Sequence, residues 1–321
     1  MPPHWGASSP AERAVGPVGV SKDEMMLLAF AAYEPLALGL EGPGLERGGF
    51  SVRRFPNQEL YIELDATPTG RACVILGSVA PPDECLLSTL LLSHTLKKER
   101  ARKVTALLPY LGYSRQDKEE PGKSLGTAWI GELLRASGVD DVVTVDVHSS
   151  AAHRLFPIPV HSLSPAEVFA GEIGRLSLTG ATLVAPDEGA LDRCEAVRQA
   201  AGMERTLAHL KKARTKAGVR HSVLHGEVGP RAVIVDDILD TGATLVSSCE
   251  ALRGAGVRDI IIMVTHGLFT GSLWERLWSL GVSRIYCTDT VPLPPRPAST
   301  RIAVLSVAPL LRDYLGLRGA G

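Results

Sequence analysis

Three acids and two hydroxyls crowd into Val233-Ile234-Val235-Asp236-Asp237-Ile238-Leu239-Asp240-Thr241-Gly242-Ala243-Thr244, where an apolar run gives way to small residues and then to helical spacing. A helix beginning here leaves backbone N–H groups without partners and adds the positive end of its dipole, so residues 241–244 form a seat for a phosphate. The hydroxyls of Thr241 and Thr244 add donors, and Ala243 needs only ordinary helical dihedrals to present its N–H. Asp236 and Asp237, at the strand end, suit sugar hydroxyls or Mg2+. Capping a helix accounts for one acid in such a run, not for three around a Thr-Gly pair.

A second stretch, Pro109-Tyr110-Leu111-Gly112-Tyr113-Ser114-Arg115-Gln116-Asp117-Lys118, places a Gly-containing turn after the run Val104 to Leu108. It delivers Arg115 and Gln116 beyond the strand, where a fixed guanidinium fork suits phosphate oxygens. Taken alone, the segment also reads as a charged surface turn. His148 closes a third run, Thr144-Val145-Asp146-Val147-His148; a lone histidine there is more often structural, so its companions decide. Two other motifs fail. Gly122-Lys123-Ser124 has Asp117 where a Walker loop needs its leading glycine, and Gly42-Pro43-Gly44 lacks the third glycine of a dinucleotide fingerprint.

Residues of this kind need strand ends and helix starts to hold them. Buried strands are expected at Met25 to Phe30, Cys73 to Leu76, Val104 to Leu108, Val142 to Val145, Thr182 to Ala185, Ala232 to Val235, Ile260 to Val264 and Arg284 to Cys287. Helices are expected at Thr127 to Ala136, Leu191 to Ala201, Ala243 to Gly254 and Ser272 to Leu280, from apolar residues three and four apart. The alternation predicts an α/β protein of two doubly wound parallel-sheet domains, residues 23–160 and 161–305. Pro157, Pro159 and Pro165 punctuate the crossing, residues 306–321 form a C-terminal helix, and the Pro-, Gly- and Ser-rich residues 1–22 read as a disordered tail.

Lys and Arg number 34 against 35 Asp and Glu, so no global field draws nucleic acid or an anionic membrane, and small molecules are the expected partners. Cys73, Cys85, Cys194, Cys249 and Cys287 form no C-x-x-C pair, which argues against a zinc site or disulfide framework and fits a reducing cytoplasm. No apolar run reaches the roughly 18 residues of a membrane span, and the start has no signal-like apolar stretch.

Together these segments resemble the ribose-phosphate pyrophosphokinases. The loop 236–244 is similar to the phosphoribosyl-binding motif that this family shares with type I phosphoribosyltransferases, and residues 109–118 look like the pyrophosphokinase signature Pro-Tyr-aromatic-Gly-Tyr-small-Arg-Gln-Asp, which the transferases lack. Phe55-Pro56-Asn57-Gln58-Glu59 is similar to a Phe-Pro-Asp-Gly-Glu segment that reaches the adenine of ATP on a neighbouring subunit. Residues 144–148 resemble the strand end whose histidine touches metal and triphosphate. Ala185-Pro186-Asp187-Glu188-Gly189-Ala190 resembles the loop whose aspartate joins ribose and Mg2+ binding. Leu210-Lys211-Lys212-Ala213-Arg214 looks like the catalytic Lys-x-Arg of a mobile loop.

The resemblance implies two domains of the type I phosphoribosyltransferase-like fold and transfer of the diphosphoryl group of ATP to ribose 5-phosphate. It implies Lys212 and Arg214 as catalytic cations, with Lys211 a substitute for Lys212, and Phe55, Asn57, Glu59, Arg115, Gln116 and His148 as the ATP set. Asp187, Asp236, Asp237, Asp240, Thr241, Gly242, Ala243 and Thr244 are the implied ribose 5-phosphate set, His148 and Asp187 flank Mg2+, and the assembly is a homo-oligomer, at least a dimer. The chain departs from the pattern at Asn57 and Gln58, which replace an acid and a glycine, at Ala243 in place of a second glycine, and at Glu188, a carboxylate in a loop facing anions. Two other readings stay open: a non-catalytic regulatory paralogue, motivated by Asn57, Gln58 and Glu188, and a phosphoribosyltransferase, supported by residues 236–244 alone.

Overall fold

Runs such as Ala72–Leu76 and Arg231–Leu239 become strands because β-branched and apolar side chains on both faces find cover on both sides. The computed structural model describes residues 25–205, 207–214, 220–292 and 299–317, and no side chains from 212 to 222. Residues 1–22, read above as a tail, lie outside the described residues.

The first sheet begins with β1 (Met25–Ala29) and its parallel edge neighbour β2 (Leu45–Arg47). A separate antiparallel hairpin follows, β3 (Phe50–Arg54) and β4 (Leu60–Leu64). The sheet is completed by β5 (Ala72–Leu76), β6 (Lys103–Leu107), β7 (Asp141–Val145) and β8 (Val160–Leu163), in the order β2-β1-β5-β6-β7-β8 with every pairing parallel. Its helices are α1 (Glu34–Leu38), α2 (Asp83–Lys98), α3 (Gly126–Ala136) and the short α4 (Ala151–Leu155).

The second sheet contains β9 (Thr182–Ala185), β10 (Ala208–Arg214), β11 (Arg220–His225), β12 (Arg231–Leu239), β13 (Asp259–Gly267), β14 (Val282–Thr288) and β15 (Ile302–Leu305). The order is β11-β10-β9-β12-β13-β14-β15, and only the β10–β11 pairing is antiparallel. On one face α5 (Ala166–Arg175) and α6 (Leu191–Ala200) bury Phe169, Ile173, Cys194 and Val197; on the other α7 (Ala243–Gly254) packs with Trp274 and Leu277. The last helix, α8 (Ala308–Tyr314), returns to the first sheet, where Leu311 shares a core with Leu27, Leu36, Leu76 and Leu107. Two parallel sheets flanked by helices are the doubly wound α/β architecture expected above.

Three elements differ from expectation, each for a local reason. β12 runs on to Leu239 because its ladder with β13 extends to Leu239 and Gly267, and this pairing overrides the poor strand propensity of Asp236 and Asp237. Residues Leu273–Leu280 form a 3-10 helix rather than an α-helix; apolar residues three apart reach the core from either, so spacing did not separate them. Residues 210–214 lie in β10, where Leu210 is buried, instead of in a loop.

Candidate active site

The carboxyl ends of the two sheets face one another across a cleft of about 1350 Å3. From the second sheet come the end of β12 and the turn into α7, on the side where β9 gives way to β12 and the strand order reverses, the place such folds keep for ligands. From the first come the segments after β6 and β7.

Gly242 makes the turn into α7. Its φ is +86°, and a Cβ there would sit 2.7 Å from Trp274 Cα, so both the backbone twist and the close approach call for glycine. Ala243 is the first residue of α7, in the ordinary helical conformation expected of it. Thr241, Gly242, Ala243 and Thr244 all line the cleft.

Beside them Asp237 Oδ2 lies 2.6 Å from His148 Nδ1 of the opposite sheet. That hydrogen bond, working against burial, raises the imidazole above its ordinary pKa. Burial alone would raise Asp237 too, but the bond to His148 and the charge of Arg193 outweigh it and hold this carboxyl well below its usual range. Asp236 is pushed the other way, first by burial and then by the neighbouring Asp237 charge. Two adjacent acids are thus driven apart, one ionised and the other favouring its proton.

Further out, Arg115 Nη1 holds Asp240 Oδ2 at 2.7 Å across the cleft. Gln116 is fixed behind it, since Ser124 Oγ donates to its Oε1 at 2.8 Å and Thr127 N to its backbone oxygen at 3.1 Å. Asp187 lines the cleft and accepts from Gly189 N at 3.0 Å. Glu188, the unexplained acid, pairs with Lys211 Nζ at 2.9 Å.

The cleft therefore gathers Arg115, Gln116, His148, Asp187, Asp236, Asp237, Asp240 and residues 241–244. Phe55, Asn57 and Glu59 are not among its walls. They lie at the turn of the β3–β4 hairpin, where the exposed Phe55 ring stacks on Tyr61 at 4.5 Å. Gln58 keeps φ +72° although it is no glycine; Gln58 N donates to Phe55 O at 2.8 Å and Glu59 N to Asn57 Oδ1 at 3.2 Å, so bonds hold a turn that glycine would have adopted unaided. The side chains of Lys212 and Arg214 lie outside the described residues, on the strand whose Lys211 lines the cleft.

Sequence reasoning missed Arg193 and the role of Asp146, which form a buried ion pair in the cleft wall. A signal existed for each. Asp146 directly follows β7 while Asp236 and Asp237 come near the end of β12, and Arg193 puts a cation in the first turn of α6, against the helix dipole.

Two family models match the chain. One, described as the N-terminal domain of ribose phosphate pyrophosphokinase, covers residues 25–138; the other, the phosphoribosyl synthetase-associated domain, covers residues 193–313, so that together they span more than half of the sequence. The chain belongs to the ribose-phosphate pyrophosphokinase family. It is 32% identical to the ribose-phosphate pyrophosphokinase of Streptomyces avermitilis over 81% of this chain and 82% of that one. Against the Maricaulis maris ribose-phosphate pyrophosphokinase the identity is 33%, over 82% and 86%. The crystal structure of phosphoribosylpyrophosphate synthetase from Mycobacterium smegmatis superposes with a TM-score of 0.82 at 28% identity, covering 92% of this chain and 98% of that one. As a member of the ribose-phosphate pyrophosphokinases the chain is an enzyme, and its two sheets are the two phosphoribosyltransferase-like units of that fold. Among the described residues no helix is long and apolar enough to cross a membrane.

A divalent ion fits this ribose-phosphate pyrophosphokinase cleft only as a shared guest. Among the described residues no three His, Cys, Asp or Glu side chains converge on a preformed cage. Mg2+ is commonly held by one or two carboxylates with substrate phosphates and waters completing its shell, and the acid-rich wall around Asp187 suits that mode.

Proposed function

We propose that the enzyme transfers the β,γ-diphosphoryl group of ATP to the 1-hydroxyl of ribose 5-phosphate, giving 5-phosphoribosyl 1-diphosphate and AMP. The observation that carries this reading is the meeting of the Arg115–Gln116 turn and the 236–244 loop in one cleft, bridged by the Arg115–Asp240 and His148–Asp237 pairs. A phosphoribosyltransferase would need only the second of these.

The backbone N–H groups of residues 241–244 hold the 5-phosphate, and Asp236, Asp237 and Asp240 receive the sugar hydroxyls. Arg115 exchanges Asp240 for phosphate oxygens of ATP, with Gln116 set behind it. His148 and Asp187 would hold Mg2+, which supplies charge neutralisation and alignment of the phosphates when bound. With Nδ1 tied to Asp237, Nε2 of His148 would be the nitrogen available to a metal, and Asp237 would orient the ring from behind. Lys212 and Arg214 bring positive charge to the non-bridging oxygens as it develops in the transition state.

Phe55, Asn57 and Glu59 reach the adenine in the cleft of a neighbouring copy, which makes the active unit at least a dimer; their position on a hairpin away from this chain's own cleft supports this. Five free cysteines suit the reducing cytoplasm. Incubating the full chain with ATP, ribose 5-phosphate and Mg2+ and measuring AMP tests the reading. No AMP from folded protein would favour the regulatory paralogue, and pyrophosphate release from phosphoribosyl diphosphate and a base would favour the transferase.

A further inference from the structure

Arg193 enters the cleft wall from the first turn of α6 and meets carboxylates from both sheets. Its Nε donates to both oxygens of Asp146, at 2.9 and 2.8 Å. Nη1 stands 3.9 Å from Asp236 Oδ1, and Nη2 stands 3.8 Å from Asp237 Oδ2. At those longer distances the guanidinium supplies charge without forming a hydrogen bond, so it takes up none of the lone pairs of Asp236 and Asp237, whose Oδ1 and Oδ2 here accept Asp237 N and face His148 Nδ1. Asp146 is itself anchored. Its φ is +48°, its carboxylate accepts the Thr265 hydroxyl, and its carbonyl oxygen lies 3.3 Å from His266 Nε2. A non-glycine residue held in the left-handed region is sustained only by firm surroundings.

We propose that Arg193 is a positioning residue for the sugar half of the reaction: fastened to Asp146 of the nucleotide-side sheet, it sets Asp236 and Asp237 where they receive the ribose hydroxyls. The inference rests on the ribose 5-phosphate reading above and deepens it, because it names what aligns the two half-sites. Without the guanidinium, three carboxylates from two sheets would face each other and an incoming anion, so the acids would turn away or take up protons. Lysine keeps the charge but lacks the fork that reaches all three at once.

The test compares wild type, Arg193→Lys and Asp146→Asn as full chains, by calorimetric titration with ribose 5-phosphate, by steady-state AMP release and by thermal melting. Arg193→Lys is expected to raise Kd and KM for ribose 5-phosphate about tenfold or more while KM for ATP moves less than about threefold. Asp146→Asn, which keeps the volume and loosens the anchor, should shift the same constants in the same direction by less. The double variant should fall short of the product of the two effects, as for residues acting as one unit. A purely structural arginine would lower the melting temperature and leave the ribose 5-phosphate constants of folded protein unchanged, or move both substrates equally; either result overturns the proposal. Should Arg193→Lys fail to fold, an unchanged ribose 5-phosphate KM in Asp146→Asn overturns it as well. If wild type binds no ribose 5-phosphate, the proposed function falls and this inference with it; if wild type binds it and both variants bind equally well, this inference alone falls.

Discussion

Two sets of ion pairs line the cleft, and solvent separates them more than chemistry does. In the inner set, Arg193, Asp146, Asp236 and Asp237 have side chains only 9–13% exposed. In the outer set, Arg115 and Asp240 are 51% and 28% exposed, and Lys211 and Glu188 are 56% and 59% exposed. Exposed pairs contribute about 0–1 kcal/mol each, so under the proposed function Arg115 and Lys211 would exchange a carboxylate for a substrate phosphate at little cost. Breaking a buried pair by removing one partner costs about 3–5 kcal/mol, because a charge stays behind without water. The inner set thus fixes geometry and the outer set changes partners. Glu188, awkward in sequence, belongs to the outer set through its pair with Lys211.

The largest expected effect tests the outer side. Lys212→Ala should lower turnover by about 10²–10³-fold with ribose 5-phosphate affinity little changed, as for loss of a group acting on transition-state charge. Single-turnover AMP release measures it, and near-normal turnover would transfer the role to Lys211, which lines the cleft. Next comes the scaffold. Leu311→Ala should cost about 2–5 kcal/mol in denaturant unfolding, since Leu311 is fully buried in the first-sheet core although it lies near the end of the chain. A cost below about 1 kcal/mol would mean that α8 does not brace the first sheet.

Gly242→Ala should raise KM for ribose 5-phosphate by about tenfold, because φ +86° is strained for alanine and its Cβ would push Trp274 and the phosphate seat apart. An unchanged KM would remove residues 241–244 from the phosphate site.

A smaller effect concerns pH. His266, buried between Tyr110, Thr290 and the Asp146 backbone, has its pKa lowered by burial below the ordinary 6.5, so it is neutral in the fold. The unfolded chain takes up that proton first as pH drops, so this stability is complete above about 6.5 and lost below it. Melting temperatures at pH 7.5 and 5.5 should differ less for His266→Gln than for wild type, and an identical difference would exclude His266 as the cause. The smallest change is expected for Glu188→Gln, whose denaturant midpoint should coincide with that of wild type. A lower midpoint would erase the distinction between inner and outer sets.

Much of the fold was legible because buried parallel strands are written as local apolar runs. Thr182–Ala185 and the α7 helix, Ala243–Gly254, have the bounds expected from sequence. The hairpin strands Phe50–Arg54 and Lys211-containing β10 were not foreseen, since mixed polar sequences such as Ser51-Val52-Arg53-Arg54 become strands only by pairing with a partner. In the cleft, the loop 236–244 and the Arg115 turn announced themselves by spacing. Arg193 did not, because its partners lie 47, 43 and 44 positions away along the chain.

Sequence alone determined the buried strand cores, the glycine turn into α7 and the Arg115–Gln116 turn, since each depends on neighbours within a few residues. Only the tertiary structure decided that Asp146 and His148 from one sheet meet Arg193, Asp236 and Asp237 from the other, that α8 returns to the first core, and that the Phe55 turn stands outside the cleft. Contacts of that kind join residues far apart along the chain, and nothing in local spacing encodes the distance between them.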